Sequence, residues 1–169
     1  MKPVILIGYM GSGKSTVGRQ LSRRLGYAFI DTDSKIEEKE GISIKEMFAT
    51  RGEEYFRECE TGFLQELILE HAEDVLISTG GGMPMRAQNA ILMQSLGTVI
   101  YLKASAQTIY QRVKHDTSRP LLQCENPLQR IQHMLEERGP KYEAASDFII
   151  EVDGKDIAQL VNEIVEKLQ

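Results

Sequence analysis

The sequence predicts an α/β protein whose parallel sheet is covered by helices, and three observations carry that prediction. Short apolar, β-branched runs recur at "VILI" (4–7), "AFI" (28–30), "VLIST" (75–79), "TVIYL" (98–102) and "DFIIEV" (147–152). Longer segments with helical periodicity separate them, the alternation expected of βαβ units. The first run leads directly into "GYMGSGKST" (8–16), a glycine-rich turn of the kind that closes a strand and opens a helix.

Taken in order, "VILI" is the first strand, and the helix after it places Val17, Leu21 and Leu25 four residues apart on one face before Gly26, a residue suited to a helix stop. "AFI" is a second, short strand running into "DTD" (31–33). Residues 35–70 are mostly helical and form an excursion before the third strand, "VLIST", which ends in Gly80, Gly81 and Gly82. "TVIYL" is the fourth strand. Residues 114–127, "KHDTSRPLLQCENP", are polar, carry two prolines and lie between helices, as a lid would. "DFIIEV" is the fifth strand, and Ile157, Leu160, Val161, Ile164, Val165 and Leu168 then make one apolar stripe of a terminal helix packed on the sheet.

A length of 169 residues suits one domain with a real core, and no repeat, linker or low-complexity tract suggests a boundary. The formal charge of −5 argues against nucleic acid or anionic membrane as partners, since both reward a basic surface. An anionic substrate must therefore find a local basic pocket. No apolar run approaches membrane-spanning length, and the apolar N-terminal stretch is broken by Lys14 without a small-residue cleavage site, so it reads as a strand and not a signal peptide. Cys59 and Cys124 show neither metal-ligand spacing nor a disulfide framework, and a cytoplasmic protein is expected.

Gly8, Gly13, Lys14 and Ser15 occupy the fixed positions of G-x-x-x-x-G-K-[ST]. Bare glycine amides and the positive end of the following helix favour an anion. Lys14 would reach the β- and γ-phosphates of a nucleotide, and the Ser15 hydroxyl would ligate the Mg²⁺ bridging them. Asp31 and Asp33 alternate at the end of a strand and should project to the same side, where one carboxylate could help to hold the metal and the other take a proton from an attacking hydroxyl. The alternative is a turn plus a cap on the next helix. The third strand lacks the terminal acid that usually serves the metal, which leaves Asp31 as the substitute. The three glycines after it would let a small ligand touch backbone amides. Arg57, in "YFRECE", has Glu60 one turn on, which by default is an exposed ion pair of little value, and Arg119 and Arg138 are by default solvated surface residues.

"GYMGSGKST", "DTD", "FRECE", "TGGG", "RPLL" and "ERGPKY", in this order and over most of the chain, closely resemble shikimate kinase. The resemblance implies a three-layer P-loop kinase fold with a five-stranded parallel sheet in 2-3-1-4-5 order, a substrate-binding helical insertion at about 33–61 and a lid at about 112–124, in one domain of 1–169. It implies ATP-dependent phosphorylation of the 3-hydroxyl of shikimate by a cytoplasmic monomer using Mg²⁺. By resemblance Asp33 is the catalytic carboxylate that meets the ring hydroxyls, Arg57 and Arg138 hold the substrate carboxylate, and Gly80 and Gly81 contact the substrate. Gly11, Ser12, Gly13, Lys14, Ser15 and Thr16 bind ATP, Arg112 lies against adenine, Arg119 swings onto the phosphates with the lid, and Phe48 and Phe56 stand beside the ring. Metal ligation falls to Ser15 and Asp31. Guanidinium forks suit a planar carboxylate, which agrees with this assignment. Two rival readings are another small-molecule kinase of the same fold, acting on gluconate or a nucleoside monophosphate, and a non-catalytic nucleotide switch.

Overall fold

The computed structural model of the chain describes residues 1–115 and 124–169. Arg119 and most of the expected lid lie outside the described residues. Strands β1 (Val4–Ile7), β2 (Ala28–Asp31), β3 (Val75–Ser78), β4 (Thr98–Lys103) and β5 (Phe148–Glu151) pair in parallel in the order β2-β3-β1-β4-β5, the order expected. All four residues of β1 are buried, as a strand with neighbours on both edges and helices over the sheet must be.

The helices are α1 (Lys14–Leu25), α2 (Thr32–Glu40), α3 (Ile44–Arg51), α4 (Glu53–Leu69), α5 (Ala87–Leu96), α6 (Ala106–Val113), α7 (Pro127–Ala145) and α8 (Ile157–Leu168). Helix α1 packs on α8 and on β2 and β3, whereas α5 packs on α4, α7 and β4, so helices flank the sheet in two groups. The apolar stripe read in α8 is the buried one, with Leu160, Val161 and Ile164 inside. Among the described residues no helix is long and apolar enough to cross a membrane.

The excursion between β2 and β3 carries a small core of its own, in which Ile36 of α2, Met47 of α3 and Phe56 of α4 meet. Full burial of side chains of this size is worth about 1.5–3 kcal/mol each and favours packing of α2, α3 and α4 on one another. Helix α4 is thereby fixed along the line from Glu53 to Leu69, and with it the arginine in its first turns.

Register places the site. Leu6, Ser78 and Asp31 share one rung across β1, β3 and β2. Two residues beyond that rung stand Gly8, Gly80 and Asp33, all past the carboxyl ends of their strands, the edge at which open parallel sheets bind ligands.

Candidate active site

Gly11 and Gly13 adopt φ values of 75° and 96°, left-handed backbone that other residues rarely tolerate, and Gly13 caps the N-terminus of α1. The loop therefore exposes its amides ahead of a helix whose positive end points the same way. Lys14 opens α1, and its Nζ donates to the carbonyls of Gly8 at 2.7 Å and Tyr9 at 3.1 Å, folding the ammonium over the loop. Ser15 and Thr16 are exposed in the first turn, whereas Ser12 is buried and its hydroxyl has no protein partner among the described residues. Arg112, at the end of α6, donates Nη1 to the Gly11 carbonyl at 3.1 Å, so a second cation lies against the loop.

Beside the loop is a cavity of about 390 Å³, bounded by Gly11, Gly13, Lys14, Ser15 and Thr16 on one side and by Asp31, Asp33, Ser34 and residues 78–81 on the other. The glycine-rich loop and the acidic motif thus share one space.

The two aspartates reach it differently from the strand alternation expected. Strand β2 stops at Asp31, which caps α2 by accepting from the Ser34 amide at 3.1 Å, and Asp33 lies in the first turn of that helix. Helix formation wins here because a capping aspartate satisfies an amide that the strand would leave unpaired. The carboxylates still converge, since a strand end and the helix turn that follows it face the same cavity. Asp33 is mostly buried, and burial is the main cause that pushes its pKa up to about 6. The Asp31 charge adds to that shift, while Lys14 and Arg57 oppose it. Asp33 therefore stands within the fields of both Lys14 of the glycine-rich loop and Arg57 of α4. Its Oδ1 is a buried acceptor with no protein donor among the described residues.

Each of the three glycines after β3 lies beneath one charged side chain. A Cβ on Gly80 would sit 2.6 Å from Asp33 Oδ1, one on Gly81 would sit 3.6 Å from Arg138 Nη1, and one on Gly82 would sit 2.7 Å from Arg57 Cζ. The glycines thus admit side chains, a purpose other than the free amides expected of them. The Gly80 amide is in fact engaged, donating to Thr32 Oγ1 at 3.1 Å. Arg138 also lies 5.7 Å from the centre of the Tyr9 ring. Its default reading as a solvated surface residue, and that of Arg57, does not hold in the fold.

The Arg57–Glu60 pair is likewise not exposed. Arg57 Nη1 donates to Glu60 Oε1 at 2.6 Å, and Glu60 is fully buried. Burial raises the Glu60 pKa to about 7 against the opposing pull of Arg57, and the charge on Asp33 pushes in the same direction as burial. A signal for this was readable: Phe56, Glu60, Leu64 and Leu67 recur on the buried stripe of α4, so the acid occupies a core position. Phe56 packs under Arg57, whose Cζ is 5.2 Å from the ring centre, and meets Phe48 edge to face at 5.2 Å. Phe56 is core, and Phe48 is partly exposed beside it.

Two further residues anchor this loop and escaped the sequence reading. The buried Asn89 donates Nδ2 to the Met83 carbonyl at 3.0 Å, and its Oδ1 accepts from the Thr61 hydroxyl of α4 at 2.7 Å, tying the loop to the helix that carries Arg57. Tyr142 donates to the Gly81 carbonyl from α7 at 2.6 Å. Neither residue has a periodicity or spacing that separates it from ordinary core.

The shikimate kinase family model matches residues 10–169. The shikimate kinase of Paracidovorax citrulli is 44% identical over 165 residues, spanning 97% of this chain and 90% of that protein. A solved shikimate kinase from Acinetobacter baumannii, in complex with shikimate, superposes with a TM-score of 0.90 at 36% identity, over 99% of this chain and 93% of that one. A gluconokinase from Sinorhizobium meliloti has a TM-score of 0.64 at 21% identity, over 99% and 91% of the two chains, a likeness of fold. A loop that can hold phosphates, a buried carboxylate beside it and a family match from the P-loop to the last helix lead to one conclusion: the chain belongs to the shikimate kinase family.

Proposed function

We propose that the chain transfers the γ-phosphoryl group of ATP to the 3-hydroxyl of shikimate, giving shikimate 3-phosphate and ADP on the route to chorismate and the aromatic amino acids. The observation that carries the proposal is the convergence of Asp33, Arg138 and Arg57 on Gly80, Gly81 and Gly82 next to the P-loop. A small acceptor with one carboxylate and several hydroxyls matches two guanidinium groups and a base.

In this reading Gly11, Ser12, Gly13, Lys14, Ser15 and Thr16 bind the phosphates, and Arg112 holds the nucleotide from the side of α6. Arg57 and Arg138 take the shikimate carboxylate, and Gly80 and Gly81 pass close under the ring. The orphaned Asp33 Oδ1 accepts the 3-hydroxyl proton as the hydroxyl oxygen attacks the γ-phosphorus and the bond to the β-phosphate oxygen breaks. With a pKa of about 6, Asp33 is ionised near neutral pH yet basic enough to take part. Arg119 neutralises charge on the transferring group.

Ser15 and Asp31, both on the cavity wall, are oxygen donors that fit Mg²⁺, a cation commonly held by one or two protein groups plus substrate phosphates. When bound, that ion would neutralise negative charge on the nucleotide phosphates. The enzyme works as a cytoplasmic monomer whose helical insertion, about 33–61, and lid, about 112–124, belong to one domain of 1–169. ADP release measured with shikimate, gluconate or a nucleoside monophosphate as acceptor tests the assignment. Turnover with shikimate alone is expected. Turnover with another acceptor in its place, or none with any, would overturn it.

A further inference from the structure

We propose that Tyr142 is a positioning residue of the acceptor site, whose hydroxyl locks helix α7 to the glycine loop and so sets where Arg138 meets the substrate carboxylate. This rests on the acceptor reading above.

Tyr142 is fully buried, its ring lies 5.1 Å from that of Tyr101 on β4, and its hydroxyl donates to the Gly81 carbonyl at 2.6 Å. Arg138 precedes it by four residues, on the same face of α7. Its Nη1 comes within 3.6 Å of where a Gly81 Cβ would be. One residue of the loop is therefore gripped twice from one helix, by the phenol at its carbonyl and by the guanidinium over its α-carbon. Pro140 sits between them inside the helix. It has no N–H to give to the carbonyl one turn back, so this turn has lost a rung of its own ladder. The hydrogen bond from Tyr142 supplies a tertiary tether at the turn that lacks a local one. Burial pushes the phenol up to about 12, against the opposing Arg138 charge, so Tyr142 is a neutral donor throughout the working range.

Tyr142 is fully buried and its hydroxyl is engaged by the Gly81 carbonyl, so its effect travels through Arg138 and the Gly81 backbone. Tyr142→Phe keeps the ring packing and removes the donor alone. Wild-type turnover with shikimate is measured first, and its absence would overturn the acceptor reading itself. In an active enzyme, Tyr142→Phe should raise the KM for shikimate about fivefold, the scale of one neutral hydrogen bond, with kcat and the KM for ATP close to wild type. The preference for shikimate over its uncharged carboxamide should shrink by a similar factor. In an Arg138→Lys background the same change should have little further effect, because both substitutions act on one contact. A thermal melt records any loss of stability separately. An unchanged KM for shikimate, equal losses for acid and amide, or full additivity with Arg138→Lys would each overturn the proposal and return Tyr142 to ordinary core packing.

Discussion

The Arg57 guanidinium lies directly on the bare α-carbon of Gly82: a Cβ there would come 2.7 Å from Arg57 Cζ and overlap the nitrogens beside it. Gly82 has φ −92° and ψ −6°, a backbone open to most residues, so its glycine is required by the neighbour and not by the turn. Gly82→Ala should therefore leave the loop folded and displace the guanidinium. The expected result is a KM for shikimate raised about tenfold with the KM for ATP unchanged, since a hydrogen bond to a charged group is lost or bent. Steady-state kinetics with each substrate varied in turn would check it, and a wild-type KM for shikimate would show that the arginine does not need this seat.

Asp33 and Glu60 make a prediction about pH. Both have folded pKa values, about 6 and about 7, above their ordinary values of 3.8 and 4.5. The fold thus binds their protons more tightly than the unfolded chain does. The stability they contribute is present at acid pH and is lost as pH rises through 6 to 7. Glu40 and Asp153, whose pKa values are lowered, act in the opposite sense, but only as pH falls below about 5. Denaturant melts should show stability declining by on the order of 2 kcal/mol between pH 5 and pH 8. Turnover should move the other way, falling below pH 6 as the base becomes protonated.

Asp33→Asn separates these two effects. It keeps the shape beside Gly80 and removes the buried charge. Turnover should drop by roughly 10²-fold or more while ATP binding survives, and part of the pH dependence of stability should vanish with it. Near-normal turnover would remove Asp33 from the reaction.

The architecture was largely legible in the sequence because its signals are local. Five apolar runs, a strand-turn-helix motif and one amphipathic stripe become the five strands, the P-loop and α8. The candidate site was legible only in part. Lys14, Asp33, Arg57 and Arg138 stand out by motif or resemblance, but what holds them does not, because it depends on contacts between distant segments. Nothing in the run Gly80, Gly81, Gly82 says that three side chains from α2, α7 and α4 will lie on it. The expectation of a strand-borne Asp33 failed for a local reason instead, since Asp31 caps a helix that begins at once. The expectation of an exposed Arg57–Glu60 pair fails because Glu60 shares its helix stripe with the buried Phe56, Leu64 and Leu67, which spacing to Arg57 does not reveal.

Arg119→Ala should depress turnover more than it weakens shikimate binding, as expected of a cation that meets the phosphoryl group in transfer. Comparing kcat with the calorimetric affinity for shikimate would check this. Loss of shikimate affinity with turnover preserved at saturation would move Arg119 to the acceptor side.

In the proposed function, Arg57 on α4 and Arg138 on α7 hold one substrate carboxylate across the glycine loop. Calorimetric titration of wild type, Arg57→Lys, Arg138→Lys and the double variant, each with shikimate and with its carboxamide, tests it most directly. Lysine keeps the charge and loses the planar fork, so each single change should weaken shikimate about tenfold or more, and the double change should cost less than the two combined. The carboxamide should bind wild type poorly and the variants about as poorly. Equal losses for acid and amide would mean that the arginines shape the pocket without reading the carboxylate, and unchanged affinity throughout would contradict the account.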